Sequence, residues 1–242
     1  MENESTKKQR RFLVEWSMLN LFGWVIGFIL VFIVAYSVFT LKHLAWKYGW
    51  AIDFRNEWTG EAALIWFPLG LGIGVLQWVK LRRLGIKLFI WAFLTALGCA
   101  ILVSLYSWVY NSLGSVVYIT KYSIPYWAVN LGIAITLPIG GAIIGGLQSL
   151  VIRKRGLKPN LWIKAYSFGL LLPPIITPLA ILVKSYLLNL FYSFEFLWFL
   201  VDMRWFLFFG FLFFITALCI SILTGKILLK QTNMDSITRN AG

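Results

Sequence analysis

Apolar residues fall into six long runs that are almost free of charge, at roughly 16–40, 62–79, 88–111, 124–152, 165–183 and 204–225. At about 1.5 Å of rise per residue, each can cross ~30 Å of hydrocarbon as a helix, and the longer ones can do so tilted. The pattern therefore predicts an all-α integral membrane protein with six transmembrane helices, forming a single membrane domain over 1–242.

The polar segments between the runs carry cations very unevenly. Lys7, Lys8, Arg10 and Arg11 precede the first run, and the short turns Lys80–Lys87 and Arg153–Lys164 join later ones. With Lys226, Lys230 and Arg239, sixteen of the 22 Lys and Arg lie on one side; Lys42, Lys47, Arg55, Lys121, Lys184 and Arg204 lie on the other. The positive-inside rule then places both termini in the cytoplasm, as an even number of spans requires, in a multi-pass protein of the cell membrane. A polar stretch at 231–242 is expected as a flexible cytoplasmic tail.

Composition agrees. Hydrophobic residues make up 60% and charged residues only 13%, against about 25% charged in soluble domains. The formal net charge of +13 would suit a nucleic-acid binder in a soluble chain. Here it reports orientation, and no nucleic-acid partner is expected because no soluble reading module is present. The bilayer is the expected partner, with anionic lipids attracted to the basic face and other membrane subunits as further partners. The basic N-terminal region resembles a signal peptide, but its apolar stretch is too long and lacks an A-x-A site, so it reads as a retained first helix. Trp16, Trp91 and Trp162 each open a span on the cytoplasmic side and read as interfacial belt residues. Outer links at Ala45–Glu61, Ser107–Tyr126 and Lys184–Met203 are amphipathic, which suggests segments lying along the interface.

The chain resembles itself. Residues 73–98 overlay 144–169 without a gap, with nine of 26 positions identical, including Gln77/Gln148, Gly85/Gly156, Trp91/Trp162 and Gly98/Gly169. Trp-x6-Gly occurs as Trp16/Gly23, Trp91/Gly98 and Trp162/Gly169, each followed some 60 residues later by a Leu-polar pair ending in Gln77, Gln148 or Thr224. Small residues stand seven and three positions before each polar one: Gly70 and Gly74, Gly141 and Gly145, Ala217 and Ser221. A cation follows six later, at Arg83, Lys154 and Lys230. This predicts three parallel two-helix repeats, 16–83, 88–155 and 162–230, related by a pseudo-threefold axis along the membrane normal. Small-x-x-x-small faces allow close helix approach, and the even-numbered helices that carry them are expected nearest the axis.

Stretches such as GIGVLQWVKLRR (72–83) and GGLQSLVIRKRG (145–156), each followed by Trp-x6-Gly, and the LTGKIL ending at 223–228 resemble uncharacterised bacterial multi-pass membrane proteins with repeated G-x2-Q-W-L-V-L-R segments. Ser149 stands where that pattern has Trp, and the third copy lacks the Arg-rich turn. The resemblance implies a fold and carries no activity. Three-repeat solute carriers share the architecture alone, since their P-x-[DE]-x-x-[KR] motif is absent.

Chemistry is sparse. His43 is the single histidine and stands in an outer link; Cys99 and Cys219 lie within spans and read as small hydrophobes. All nine acids lie outside the central spans, where ion-coupled transporters usually keep an ionisable group. No catalytic, cofactor or metal site is expected. Gln77, Gln148 and Thr224 are candidates either for axial polar residues or for interhelical hydrogen bonds. Arg82, Arg83, Arg153, Lys154 and Lys230 are candidates for an anionic-lipid site or for plain topology charges. Asp53, Arg55, Glu57, Glu61, Glu195, Asp202 and Arg204 are candidates for an outer partner surface or for solvated, locally paired charges. The expected role is a non-enzymatic structural or accessory subunit or scaffold; a passive channel or facilitator along the axis is the alternative. A reporter active only in the cytoplasm should be active when fused to either terminus and silent when inserted in Ala45–Glu61; the reverse result would overturn the orientation.

Overall fold

The computed structural model describes residues 4–48, 58–120, 126–191 and 198–231. Those residues are helical apart from short turns: α1 (Glu4–Lys47), α2 (Trp58–Leu81), α3 (Leu88–Thr120), α4 (Tyr126–Arg153), α5 (Pro159–Phe191) and α6 (Trp198–Gln231), with one 3-10 turn at Arg82–Leu84. Among the described residues four helical stretches are long and apolar enough to cross a membrane: Thr6–Ala45, Ala63–Leu84, Leu88–Val109 and Ala134–Arg153.

Several helices run on past their apolar stretches. α1 has 44 residues, ~66 Å of helix, and α3 and α5 continue to Thr120 and Phe191. Parts of the expected interfacial links are therefore prolongations of these helices. Each added residue gains a backbone hydrogen bond once a helix exists, and Leu41–Lys47 contains no Gly or Pro to stop it. The remainder of those links, and the tail from 232 onward, lie outside the described residues.

Each helix packs on its neighbours in the chain, and α6 packs back on α1, closing a ring. The α2–α3 and α4–α5 connections are tight. Gly85 and Gly156 take φ of 70° and 75°, a left-handed conformation that other L-residues adopt only at a cost of about 1–2 kcal/mol. Their N–H groups bond back to the carbonyls of Arg82 (2.9 Å) and Arg153 (3.1 Å). Leu81 and Ile86 flank one turn and Ile152 and Leu157 the other, all buried, so each turn is fastened by apolar contacts on both sides.

Glycines set the helix separations. Gly23 and Gly27 of α1 face Leu69, Gly72 and Ile73 of α2; a Cβ at Gly72 would lie 2.7 Å from the Gly27 Cα. Gly98 of α3 receives Ile144 of α4, and Gly169 of α5 receives Ile220 of α6. Gly70 and Gly74 lie against Ala96, Thr95 and Ala92 of α3, while Gly141 and Gly145 lie against Tyr166, Ser167 and Ile163 of α5. The small faces of α2 and α4 therefore seat the following odd-numbered helix. Close approach maximises dispersion contacts, which drive helix association where no hydrophobic effect operates. Outward, α1 exposes Phe22, Val25, Ile29, Phe32 and Ile33, a surface suited to hydrocarbon.

Replacing Gly72 by Val should destabilise the fold by about 1–3 kcal/mol, because the added carbons meet backbone that cannot move aside. Gly146→Ala, where nothing lies within 4 Å, should leave the thermal midpoint of the detergent-solubilised protein unchanged. Equal midpoints for the two variants would refute the glycine contact.

Candidate functional site at the buried polar centre

Near the basic end of the bundle the structure gathers residues from all six helices. Trp16 of α1, Trp91 of α3 and Trp162 of α5 are buried to 1% exposure or less. They are core residues, not a headgroup belt. Trp162 lies edge-on to both others, with ring centroids 6.5 Å from Trp16 and 6.0 Å from Trp91. A buried indole N–H needs an acceptor, and here each finds one on an even-numbered helix. Trp91 Nε1 donates to Gln77 Oε1 (3.1 Å), Trp162 Nε1 to Gln148 Oε1 (2.8 Å), and Trp16 Nε1 to Thr224 Oγ1 (3.0 Å). The first two bonds join residues fourteen apart across the tight turns. The third joins residues 208 apart and ties α6 to α1.

The amides carry the network inward. Gln77 Nε2 donates to Asn20 Oδ1 at 2.6 Å and to Tyr166 Oη at 3.0 Å; Gln148 Nε2 donates to Thr95 Oγ1 at 2.8 Å and to Gln77 Oε1 at 3.4 Å. Asn20 Nδ2 then donates to the Trp16 carbonyl (2.9 Å), Thr95 Oγ1 to the Trp91 carbonyl (2.8 Å), and Thr224 Oγ1 to the Ile220 carbonyl (2.7 Å). Gln77 uses both amide hydrogens and accepts twice, so it is fully satisfied although no part of it is exposed. Gln148 and Thr224 are equally buried.

The sequence-derived candidates thus divide. Gln77, Gln148 and Thr224 come together as a hydrogen-bonded centre. Ala217 and Ser221 are buried on α6, Ser221 bonding to the Ala217 carbonyl; Gly225, one turn beyond, lies against Trp16 and Leu13. Arg82, Arg83, Arg153, Lys154 and Lys230 are exposed, with Arg82 over the Trp78 ring at 5.9 Å. Of the outer charges, Asp53, Arg55, Glu57 and Glu195 lie outside the described residues, as do the side chains of Glu61, Asp202 and Arg204. His43 is exposed on α1, and Cys99 and Cys219 are unbridged.

Asn20, Thr95 and Tyr166 escaped the sequence reading. Each stands four residues after its Trp, one helical turn along the same face, so the Trp-x6-Gly motif held the signal. Glu15 was also missed as a partner: its carboxylate binds Arg11 (2.9 Å) and Lys80 of α2. At the N-terminus, the hydrogen bond and charge of Lys8 hold the Glu4 carboxyl below the ordinary carboxylate range.

Among the described residues no three His, Cys, Asp or Glu side chains come together as a metal-binding group. Comparison with family models, with curated proteins and with solved structures finds no match to the chain.

Gln148→Leu should strand the Trp162 N–H and remove a partner of Thr95 and Gln77, costing about 1–3 kcal/mol. The thermal midpoint of the purified protein should fall, and more than for the exposed control Leu150→Gln. A midpoint equal to wild type would show that the network is not holding the helices.

Proposed function

We propose that the chain is a six-span protein of the cell membrane with both termini cytoplasmic, acting without catalysis as a structural or accessory subunit or scaffold of a membrane complex. The observation carrying this reading is the closed polar centre. Gln77, Gln148 and Thr224 are wholly buried, each accepts an indole N–H, and their remaining polar groups are taken up by buried side chains or, for Thr224, by the carbonyls of its own helix. A residue that lines a permeation path presents unsatisfied polar atoms to water or solute; these three present none. That weighs against the passive channel or facilitator.

The recurrent contacts support an architecture of three two-helix units about an axis along the membrane normal. An indole-to-polar bond joins each even helix to the next odd one, at Gln77/Trp91, Gln148/Trp162 and Thr224/Trp16. Within each unit the Gly of Trp-x6-Gly meets the Ile four residues before the polar position: Gly23/Ile73, Gly98/Ile144 and Gly169/Ile220. Six such junctions give a rigid frame. The apolar outer surface is the part left to meet other membrane subunits and lipid.

Solubilised gently from its own membrane, the protein should migrate above the mass of one chain in its micelle and bring a second membrane protein in fixed stoichiometry. Reconstituted alone into vesicles, it should not accelerate efflux of small neutral solutes. A single-component species whose efflux is abolished by Thr224→Trp would sink the scaffold reading and establish the facilitator.

A further inference from the structure

The two tight turns border a groove of about 900 Å³ between the start of α3 and the end of α4. Its lining divides by chemistry. Lys87, Arg153, Lys154 and Arg155 stand at the turns, and Ile90, Leu94, Leu150 and Val151 form the apolar wall. Lys87 accepts the N–H of Trp91 at 3.2 Å, so it is in helical register with Ile90 and Leu94 three and seven residues on. On α4, Leu150 precedes Lys154 by one turn. Both helices therefore present a cation at the turn and aliphatic side chains one or two turns deeper.

Among the described residues the charge in this groove is uncompensated. Elsewhere at the same end, Glu15 engages Arg11 and Lys80. Among the described residues no carboxylate pairs with any of the four groove cations, and no carboxylate lines the groove. Arg155 is positioned from across the bundle: its Nη2 donates to the Gly85 carbonyl at 2.6 Å, joining the two turns at the groove mouth.

We infer that this groove holds one anionic phospholipid, its phosphate among Lys87, Arg153 and Lys154 and an acyl chain along Ile90, Leu94, Leu150 and Val151. A free phosphate would use the cations alone and make no use of the apolar wall beside them. A zwitterionic lipid would bring its own cation to a cluster that already has four. Only a net-negative headgroup with a hydrocarbon tail matches both halves of the lining. The set differs from the sequence-derived candidates, since Lys87 and Arg155 join it while Arg82, Arg83 and Lys230 fall outside.

The inference rests on the membrane reading above, and the test separates the two. Native mass spectrometry of the full chain in micelles, with phosphatidylglycerol or phosphatidylcholine added, should show one phosphatidylglycerol retained per chain and much weaker retention of phosphatidylcholine. The double variant Lys87→Gln, Lys154→Gln should bind phosphatidylglycerol roughly tenfold or more weakly. Lys164→Gln, Lys226→Gln, with the same loss of charge outside the groove, should bind as wild type does. Equal retention by the two double variants, equal retention of the two lipids, or displacement by millimolar inorganic phosphate would each overturn the proposal. In parallel, all three proteins should resist carbonate extraction from pure phosphatidylcholine vesicles. Failure there would sink the membrane reading itself.

Discussion

A tryptophan buried in an apolar bundle brings one donor that must be met, because no water is at hand to accept it. Trp16, Trp91 and Trp162 bring three such donors to one level of the molecule. Each acceptor comes from an adjacent helix, so satisfying the indoles and docking the helices are one event. The Trp16–Thr224 bond is the most consequential, since it joins α1 to α6 and closes the ring. Glycine contacts supply the complementary requirement. The helices must come close enough for short polar side chains to reach, and Gly23, Gly70, Gly72, Gly141 and Gly145 permit backbone contact at those crossings.

The third polar position is built differently from the other two. Thr224 is shorter than Gln77 or Gln148 and reaches only the indole and its own helix. Tyr166 occupies the place that Asn20 and Thr95 hold in the earlier helices, and its longer side chain crosses the centre to accept from Gln77. The Tyr166 ring also extends the tryptophan cluster, its centroid 6.1 Å from that of Trp162.

Much of this could be read in the chain before folding. Run length indicated helices, and internal similarity singled out Gln77, Gln148 and Thr224 together with the Trp-x6-Gly motif. The tryptophans themselves were misplaced, for a physical reason. A Trp at the start of an apolar run suits both a headgroup belt and a buried junction, and only the neighbouring helix decides between them. The apolar runs are hydrophobic all round, so periodicity does not tell which face is inward. Asn20, Thr95 and Tyr166 were hidden for that reason. The small faces at Gly70/Gly74 and Gly141/Gly145 were legible as contact surfaces, but their partners were not. Seating them on the next odd helix depends on the tight left-handed turns at Gly85 and Gly156, whose geometry a spacing rule does not contain.

The direction of the hydrogen bonds has one more consequence. One thread runs from the Trp91 indole through Gln77 and Asn20 to the Trp16 carbonyl, and another from the Trp162 indole through Gln148 and Thr95 to the Trp91 carbonyl. Each begins at a group that only donates and ends at one that only accepts. A proton wire works by reversing every link as charge hops along it, and an indole N–H cannot serve as the receiving end. These threads have a fixed polarity and cannot be reset. The centre is therefore polar, continuous and buried at the basic end of the bundle, yet its threads offer no relay along which a proton can hop.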